Sequence, residues 1–365
     1  MTFQQQRVAI LSSGVWQLRD AIREITGFEP VRWLPPFQQP KFGCVVGWGL
    51  KPTASKAREL SIKSDSSYIA LEDGFIRSVR PGADQPPLSL VVDRLGVHYD
   101  ASARSELEAL ILRSTYNHDD DRIARARAGM ARLRELRISK YNHAPFLGEV
   151  ELGLDPARRK GRVLIVDQTA GDSSISFGCA SASSFNAMLE AARSENPGAE
   201  IVVKLHPEVV SGRKQGHLCH VSNDADTCVI RENVNPWSLI ETVDKVYVVT
   251  SQLGLEAVLA GREVTCFGAP FYAGWGLTLD RVPMERRSAK PTPEQLFAAV
   301  YFDYSRYVSP VTRREISYEQ AVDWIARERD RFHGQRNNRG FSRVLGGKRQ
   351  LGAWQKAARQ EARGF

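Results

Sequence analysis

Short apolar runs, each followed by a stretch of helical periodicity, constrain this chain more than any other feature. In the first half they are Val8–Leu11, Cys44–Gly49 and Tyr68–Gly74. In the second they are Arg162–Gln168, Glu200–Pro207, Thr227–Ile230, Lys245–Ser251 and Glu263–Gly268. Continuous apolar runs, unlike alternating ones, belong to strands covered on both faces, hence to parallel sheets with helical crossovers. Amphipathic stretches such as Ser181–Glu195 and Pro236–Val243 lie between them. Two such series predict an α/β fold of two Rossmann-like domains, and 365 residues suffice for two cores.

The join falls between about residues 115 and 161. "NHDDDRIARARAGMARLRELRISK" predicts one helix, with Asp119 to Asp121 at its N-terminus and Ile123, Ala126, Met130 and Leu133 as its buried stripe. Its six arginines and Lys140 are expected on a solvated face. "LGLDPARRKGR" (152–162) follows as a polar linker. The expected boundaries are 1–150 and 151–312 for the two domains, 313–330 for a closing helix and 331–365 for a tail.

Charge is concentrated in that tail. Residues 331–365 carry nine Lys or Arg against Glu361 alone, which accounts for the chain's whole formal +8. Phe341, Val344, Leu351 and Trp354 are interspersed, so the tail suits an anionic membrane surface or is a solvated extension. The body holds no recognised nucleic-acid module, and no nucleic-acid partner is expected. No apolar run of about 18 residues predicts a membrane span, and the first residues do not predict a secretion signal. Five scattered cysteines suit a reducing cytoplasm. His217, Cys219 and His220 lack a companion pair at zinc-site spacing, which favours a polar loop, and no metal is expected.

Ligands of open α/β sheets bind outside the carboxyl ends of the strands. In the second domain one strand exits into Asp167, Gln168, Thr169 and Asp172, the next into Lys204, His206 and Pro207, and a third into Thr250 and Ser251, with Glu256 a turn further on. Each piece has an ordinary reading: Asp172 or Ser251 as a helix cap, His206-Pro207 as a loop. Their conjunction on one rim points to an acid, an imidazole and a phosphate-binding helix start around one ligand. The first domain adds Glu72, Asp73 and Gly74, of whose two acids at most one faces the cleft. Arg77 either meets an anionic ligand or pairs with one of those acids. Phe271, Tyr272 and Trp275 lie in a loop that stacks on a ligand or packs in the core.

Long blocks of the chain resemble the KpsC-type β-Kdo transferases of the bacterial capsule polysaccharide biosynthesis family. They are "LEDGFIRSVRPGADQPPLSLVVDRLGVHYDA", "VLIVDQTAGDSSISFG", "VVKLHPEV", "VYVVTSQLGLEAVLAGREVTCFGAPFYAGWGLT" and "TPEQLFAAVYFDYSRYV", in family order, from about Val45 to Arg313. The resemblance implies a GT-B fold, with two Rossmann-like domains whose parallel sheets face each other across a cleft. It implies retaining transfer of Kdo (3-deoxy-D-manno-octulosonic acid) from CMP-β-Kdo, building a β-Kdo linker on a phosphatidylglycerol-type lipid at the cytoplasmic face of the inner membrane. A Kdo-bearing glycolipid or oligosaccharide is then the expected acceptor. No metal or other cofactor is expected, since a helix terminus and a cation can meet one phosphate. Its acidic-Gly, HP and Ser/Thr–Glu motifs fall on Glu72-Asp73-Gly74, His206-Pro207 and Thr250-Ser251 with Glu256. Many such proteins carry two modules, and "DQTAGD" here resembles the first, so one linkage type or a partner enzyme is expected.

Retention by double displacement needs a carboxylate nucleophile and a base. The resemblance favours Asp172 as nucleophile, with Asp167 as alternative, because the family's second module has Gly at the position of Asp167. Glu72 is the expected base, with Asp73 behind it. His206 and Thr250/Ser251 would hold the phosphate, Glu256 the ribose, and Lys204 or Arg77 the sugar carboxylate. A GT-B enzyme using another nucleotide sugar, including an epimerase, and a non-catalytic glycolipid-binding component of capsule assembly or export are the competing functions.

Overall fold

A computed structural model describes residues 6–34, 41–82, 85–116, 119–158 and 161–339. The first sheet opens with strands β1 (Arg7–Ile10), β2 (Glu29–Arg32), β3 (Cys44–Trp48), β4 (Ser67–Asp73) and β5 (Ser89–Asp93). The second contains β6 (Val163–Val166), β7 (Ile201–Lys204), β8 (Thr227–Ile230), β9 (Lys245–Val248), β10 (Glu263–Cys266) and β11 (Leu279–Asp280). The chain then returns to the first sheet with β12 (Ser305–Val308) and β13 (Glu315–Ile316).

The second sheet is wholly parallel, in the order β11-β10-β9-β6-β7-β8. Relabelled within the domain, this is the doubly wound order 3-2-1-4-5-6, which reverses between β6 and β9. Helix Ala182–Glu195 covers one face, burying Phe185, Met188, Leu189 and Ala192 at the i, i+3, i+4, i+7 spacing of an apolar stripe.

The first sheet, of order β13-β12-β5-β4-β3-β1-β2, corrects the expectation of two parallel sheets. Strands β1 to β4 pair in parallel, but β5, β12 and β13 run antiparallel on the far edge. Pro30 lies in β2, an edge strand, where a missing N–H is tolerated. Because β12 belongs to this sheet, the sequence-based boundary at 312 falls too late. The chain has left the second domain by Ser305.

Two other expectations change. The helix Asp120–Glu135 is capped by Asp119 and buries Ala126 and Leu133, with Ile123 and Met130 half-buried. Its arginines, however, meet the returning chain: Arg125 pairs with Glu319 (2.8 Å), Arg127 with Glu294 (3.2 Å), Arg132 with Asp323 (3.1 Å), and Arg122 with Asp303. Beneath these exposed pairs the Tyr318 hydroxyl donates to the Gly129 carbonyl. The closing helix, Tyr318–Arg339, is longer than the sequence indicated. The tail beyond it lies outside the described residues. Among the described residues no helix is long and apolar enough to cross a membrane.

The polar linker 152–162 is exposed at Gly153 and 155–157 but anchored at both ends. Leu152 and Leu154 are buried, and Arg162 is fully enclosed. The Arg162 guanidinium donates to Glu200 (2.6 Å), Glu149 (3.2 Å) and the carbonyls of Thr242 (3.0 Å) and Asp155 (2.7 Å). Removing one partner of a buried ion pair strands the other charge. Arg162→Ala is therefore expected to cost about 3–5 kcal/mol in urea unfolding, with part recovered when Glu200→Gln is added. A cost of about 0–1 kcal/mol, that of a surface pair, would show that Arg162 does not lock this joint.

Candidate active site

Strand order reverses between β6 and β9, the point at whose carboxyl ends open α/β sheets bind ligands. Gln168 lies at that point: its Oε1 accepts from the Thr250 N–H (2.9 Å) and its Nε2 donates to Thr250 Oγ1 (3.0 Å). The Ser174 and Thr250 hydroxyls lie 3.0 Å apart. Thr250 is thus buried scaffold. The helix Leu253–Leu259 starts from Gln252, not from Thr250 or Ser251. Ser251 Oγ instead accepts from the Leu253 N–H at 3.3 Å.

The two aspartates after β6 occupy opposite environments. Asp167 is buried, its Oδ1 accepting from the His217 N–H (3.0 Å), and it pins the 216–218 turn to the strand exit. Burial pushes its carboxyl above the usual range, opposed by backbone N–H groups of His217, Gln168 and Leu218. A Cβ on Gly216 would come within 2.4 Å of Asp167 Oδ2, so the turn needs glycine there. Asp172 is exposed. It caps the short helix Ser173–Phe177 through Oδ1 (Ser174 N–H, 3.0 Å), while Oδ2 sits 3.5 Å from Gln168 Nε2. The capping reading of Asp172 therefore holds, and it leaves one carboxylate oxygen at the rim.

After β7, His206 Nδ1 accepts from the Glu208 N–H (3.2 Å), with Pro207 opening the helical turn Pro207–Val210. Burial lowers the imidazole's pKa. The neutral ring then carries its proton on Nε2, where it can donate to an anion. Lys204 does not reach the rim: its Nζ donates to the carbonyls of Leu205 (2.6 Å) and Glu232 (2.9 Å), and burial lowers its pKa to about 8. Of the two cations expected at a sugar carboxylate, Lys204 or Arg77, Lys204 is thus engaged inside the second domain.

In the first domain β4 delivers two unlike acids. Asp73 and Arg77 form an internal ion pair at 2.9 Å, the second of the two alternatives for that arginine. Glu72 is buried and accepts from the Tyr99 hydroxyl at 3.3 Å. Burial raises its pKa, with Lys51 and Lys140 opposing. Tyr99 in turn accepts from the Leu50 N–H (2.9 Å). Gly49 has φ +47°, and a Cβ there would lie 2.3 Å from both Glu72 Oε1 and the Tyr99 hydroxyl.

These two rims are joined by a seam. The Ala101 N–H donates to the Phe177 carbonyl (2.8 Å), and the Tyr99 and Phe177 rings are 5.8 Å apart, so the helix capped by Asp172 docks on the segment that holds Glu72. Phe75 packs on Phe271 (5.0 Å) and His98 (5.2 Å), and its carbonyl accepts from Gln252 (3.1 Å). Phe271, Tyr272 and Trp275 are all buried, which decides for core packing over ligand stacking. Residues 139–141 run along the seam: the Lys140 carbonyl accepts from the Arg77 N–H (3.0 Å), and Ser139 Oγ donates to Glu256 (2.6 Å). Glu256, expected at a ribose, is instead fully buried here, and burial raises its pKa to about 7. The Tyr141 phenol, raised chiefly by burial, is also raised by Asp73, Glu208 and Glu72, carboxylates from both domains.

The structure therefore brings Glu72, Asp73 and Arg77 to one side of the seam and Gln168, Asp172, His206 and Pro207 to the other. Lys204, Thr250 and Asp167 serve the scaffold. Sequence reasoning missed Gly49, Tyr99, Ser139, Lys140 and Tyr141. Tyr99 stood inside a quoted block, but nothing in its spacing paired it with Glu72. A cavity of about 340 Å³ bounded by Arg137, Phe146, Asn235, Arg329 and His333 involves none of the strand exits.

Two α/β domains, one with a mixed and one with a parallel sheet, meeting at their strand exits form the GT-B-like architecture of nucleotide-sugar enzymes. The family model for capsule polysaccharide biosynthesis proteins matches residues 43–153 and 113–307, and the chain belongs to that family. It is 43% identical over 316 residues to the capsule polysaccharide modification protein LipA of Neisseria meningitidis serogroup B, a match covering 83% of this chain and 45% of LipA. The chain thus spans about half the length of that relative. Among solved structures, the β-Kdo 2,4 transferase KpsC of Thermosulfurimonas dismutans superposes with TM-score 0.80 at 38% identity, covering 88% of this chain and 98% of that one. The β-Kdo 2,7 transferase KpsC of the same organism gives TM-score 0.65 at 28% identity, covering 88% and 99%.

The buried Glu256 yields a stability test. Its carboxyl holds a proton to about 7 in the folded protein against 4.5 ordinarily. Ionisation therefore costs stability progressively as pH rises through that window, and the cost is complete above it. The stability of Glu256→Gln relative to wild type is expected to rise by about 3 kcal/mol between pH 4.5 and pH 8 in urea titrations. A difference independent of pH would show that Glu256 is not held protonated.

Proposed function

We propose that this protein is a retaining β-Kdo glycosyltransferase that takes Kdo from CMP-β-Kdo and adds it to a Kdo-bearing acceptor in capsule or surface polysaccharide synthesis. The observation that carries this reading is the contact across one seam between the helix capped by the exposed Asp172 and the segment whose Tyr99 holds the buried Glu72, a carboxylate of raised pKa. It stands on a backbone that superposes at TM-score 0.80 on a protein described as a β-Kdo 2,4 transferase.

In this mechanism Asp172 attacks the anomeric carbon, the bond to the CMP phosphate breaks, and the electron pair leaves on the phosphate oxygen. The acceptor hydroxyl then displaces the Asp172 carboxylate while Glu72 takes its proton, so two inversions give net retention. Glu72 suits the second step because burial makes it a stronger base than an exposed carboxylate. Asp167 is less suited to attack, since backbone donors hold it inside the second domain. The Nε2–H of His206 meets the departing phosphate without adding a full charge, and Ser251 lies on the same rim. Neither step calls for a metal.

Similarity is higher to the 2,4 than to the 2,7 transferase, which supports a 2,4 linkage for this module. A glycolipid acceptor would put the enzyme at the cytoplasmic face of a membrane, where the basic sequence of 331–365 suits anionic headgroups.

The test is transfer from CMP-Kdo, generated in situ, to a synthetic β-Kdo glycoside. Wild type is expected to add Kdo with release of equimolar CMP. Asp172→Asn and Glu72→Gln are each expected to lower the rate about 10²–10⁴-fold or more. Protection against thermal unfolding by UDP but not CMP, or transfer indifferent to both substitutions, would refute the reading.

A further inference from the structure

The donor in the reading above carries two anionic groups, a phosphate and a sugar carboxylate, and the cations expected from sequence to meet the second are taken. Lys204 is committed to two backbone carbonyls inside the second domain. Arg77 is paired with Asp73 at 2.9 Å. Lys214, on the loop after His206, is paired with Glu208 at 2.9 Å. Lys51 is exposed, with its ammonium over the Trp48 ring at 6.0 Å.

Lys140 differs from all of these. Its backbone is fixed from both domains: its carbonyl accepts from the N–H groups of Arg77 (3.0 Å) and Ser78 (3.3 Å), and the preceding Ser139 is bonded to Glu256 of the second domain. The next residue, Tyr141, bridges to Ser78 and lies under the Arg77 guanidinium. The side chain between them is half-buried and takes part in none of the ion pairs among the described residues. It is close enough to Glu72, Glu256 and His98 to perturb all three. A lysine held at a domain seam beside two carboxylates, yet paired with neither, is a cation awaiting an anion.

We infer that Lys140 is the residue that recognises the carboxylate of the sugar donor, a role that rests on the proposed reading of the site. It selects 2-keto sugar acids over neutral sugars and turns the anomeric carbon toward Asp172. The phosphate is left to the His206 rim.

The test compares wild type with Lys140→Gln, which keeps most of the side-chain stem, Lys140→Arg and Lys51→Ala. Melting temperatures establish that each is folded. KM for CMP-Kdo and the inhibition constant of CMP, which has the phosphate but no sugar carboxylate, are measured for each. Lys140→Gln is expected to raise KM for CMP-Kdo about 10- to 100-fold with the CMP constant unchanged. Lys140→Arg should recover part of the loss, and Lys51→Ala, which removes a charge acting on Glu72 but no contact with the donor, should leave KM for CMP-Kdo unchanged. Parallel weakening of CMP would put the lysine on the phosphate and overturn the assignment, as would unchanged KM in Lys140→Gln. Wild type that neither transfers Kdo nor binds CMP would defeat the functional reading itself, and the assignment with it.

Discussion

The chemistry of this molecule depends on how Phe75 crosses from one domain into the other. Gly74, just after the acidic corner, lies so close to Ser89 that a Cβ would meet its Oγ at 2.2 Å, and its N–H still donates to the Ser89 carbonyl (2.9 Å) before the chain delivers the buried Phe75. The ring enters the second domain's core against Phe271, with His98 and Tyr304 around it, and its carbonyl is held by Gln252 from the start of the helix after β9. Packed aromatic cores do not deform continuously. The distance from the exit of β4 to the exits of β6 and β9 is therefore set by packing rather than by loop flexibility. With the Tyr99–Phe177 contact, this gives the two rims a defined register.

Within that frame, environment separates groups that composition makes equivalent. Glu72 and Asp73 are neighbours, but one is buried under a phenol and the other neutralised by an arginine. Asp167 and Asp172 leave the same strand, but one is enclosed by backbone donors and the other keeps an oxygen at the surface. Neighbouring acids placed in unlike environments can take unlike roles in one site. Here each pair is split between a structural member and a chemically available one.

Much of this was legible in the residues. The five main strands of the parallel sheet were evident because strands buried on both faces leave unbroken apolar runs, as in Val163–Val166 and Ile201–Val203. The acid at the exit of β6 and the His-Pro after β7 followed from the rule that ligands sit beyond strand ends. The antiparallel edge of the first sheet was not legible. β12 reads Ser-Arg-Tyr-Val and β13 has two residues, too short and too polar to register as apolar runs. The arginines of Asp120–Glu135 had no visible partners, because Glu294, Asp303, Glu319 and Asp323 lie far along the chain. Spacing places Lys204 at a strand end and Glu256 in the helix after β9, but it does not show whether either side chain is enclosed. Lys140 was assigned to solvent for the same reason in reverse.

The central claim is that the Asp172 loop and the Glu72 corner act on one sugar across the seam. Intact-protein mass spectrometry of Glu72→Gln, incubated with CMP-Kdo without acceptor, tests it most directly, since a retained nucleophile and a missing base should leave the sugar on the protein. The account expects a mass gain of one Kdo residue that maps to the peptide bearing Asp172 and vanishes in the Glu72→Gln/Asp172→Asn double variant. A covalent sugar on Asp167 or elsewhere, or full transfer activity in Asp172→Asn with no adduct in Glu72→Gln, would contradict it.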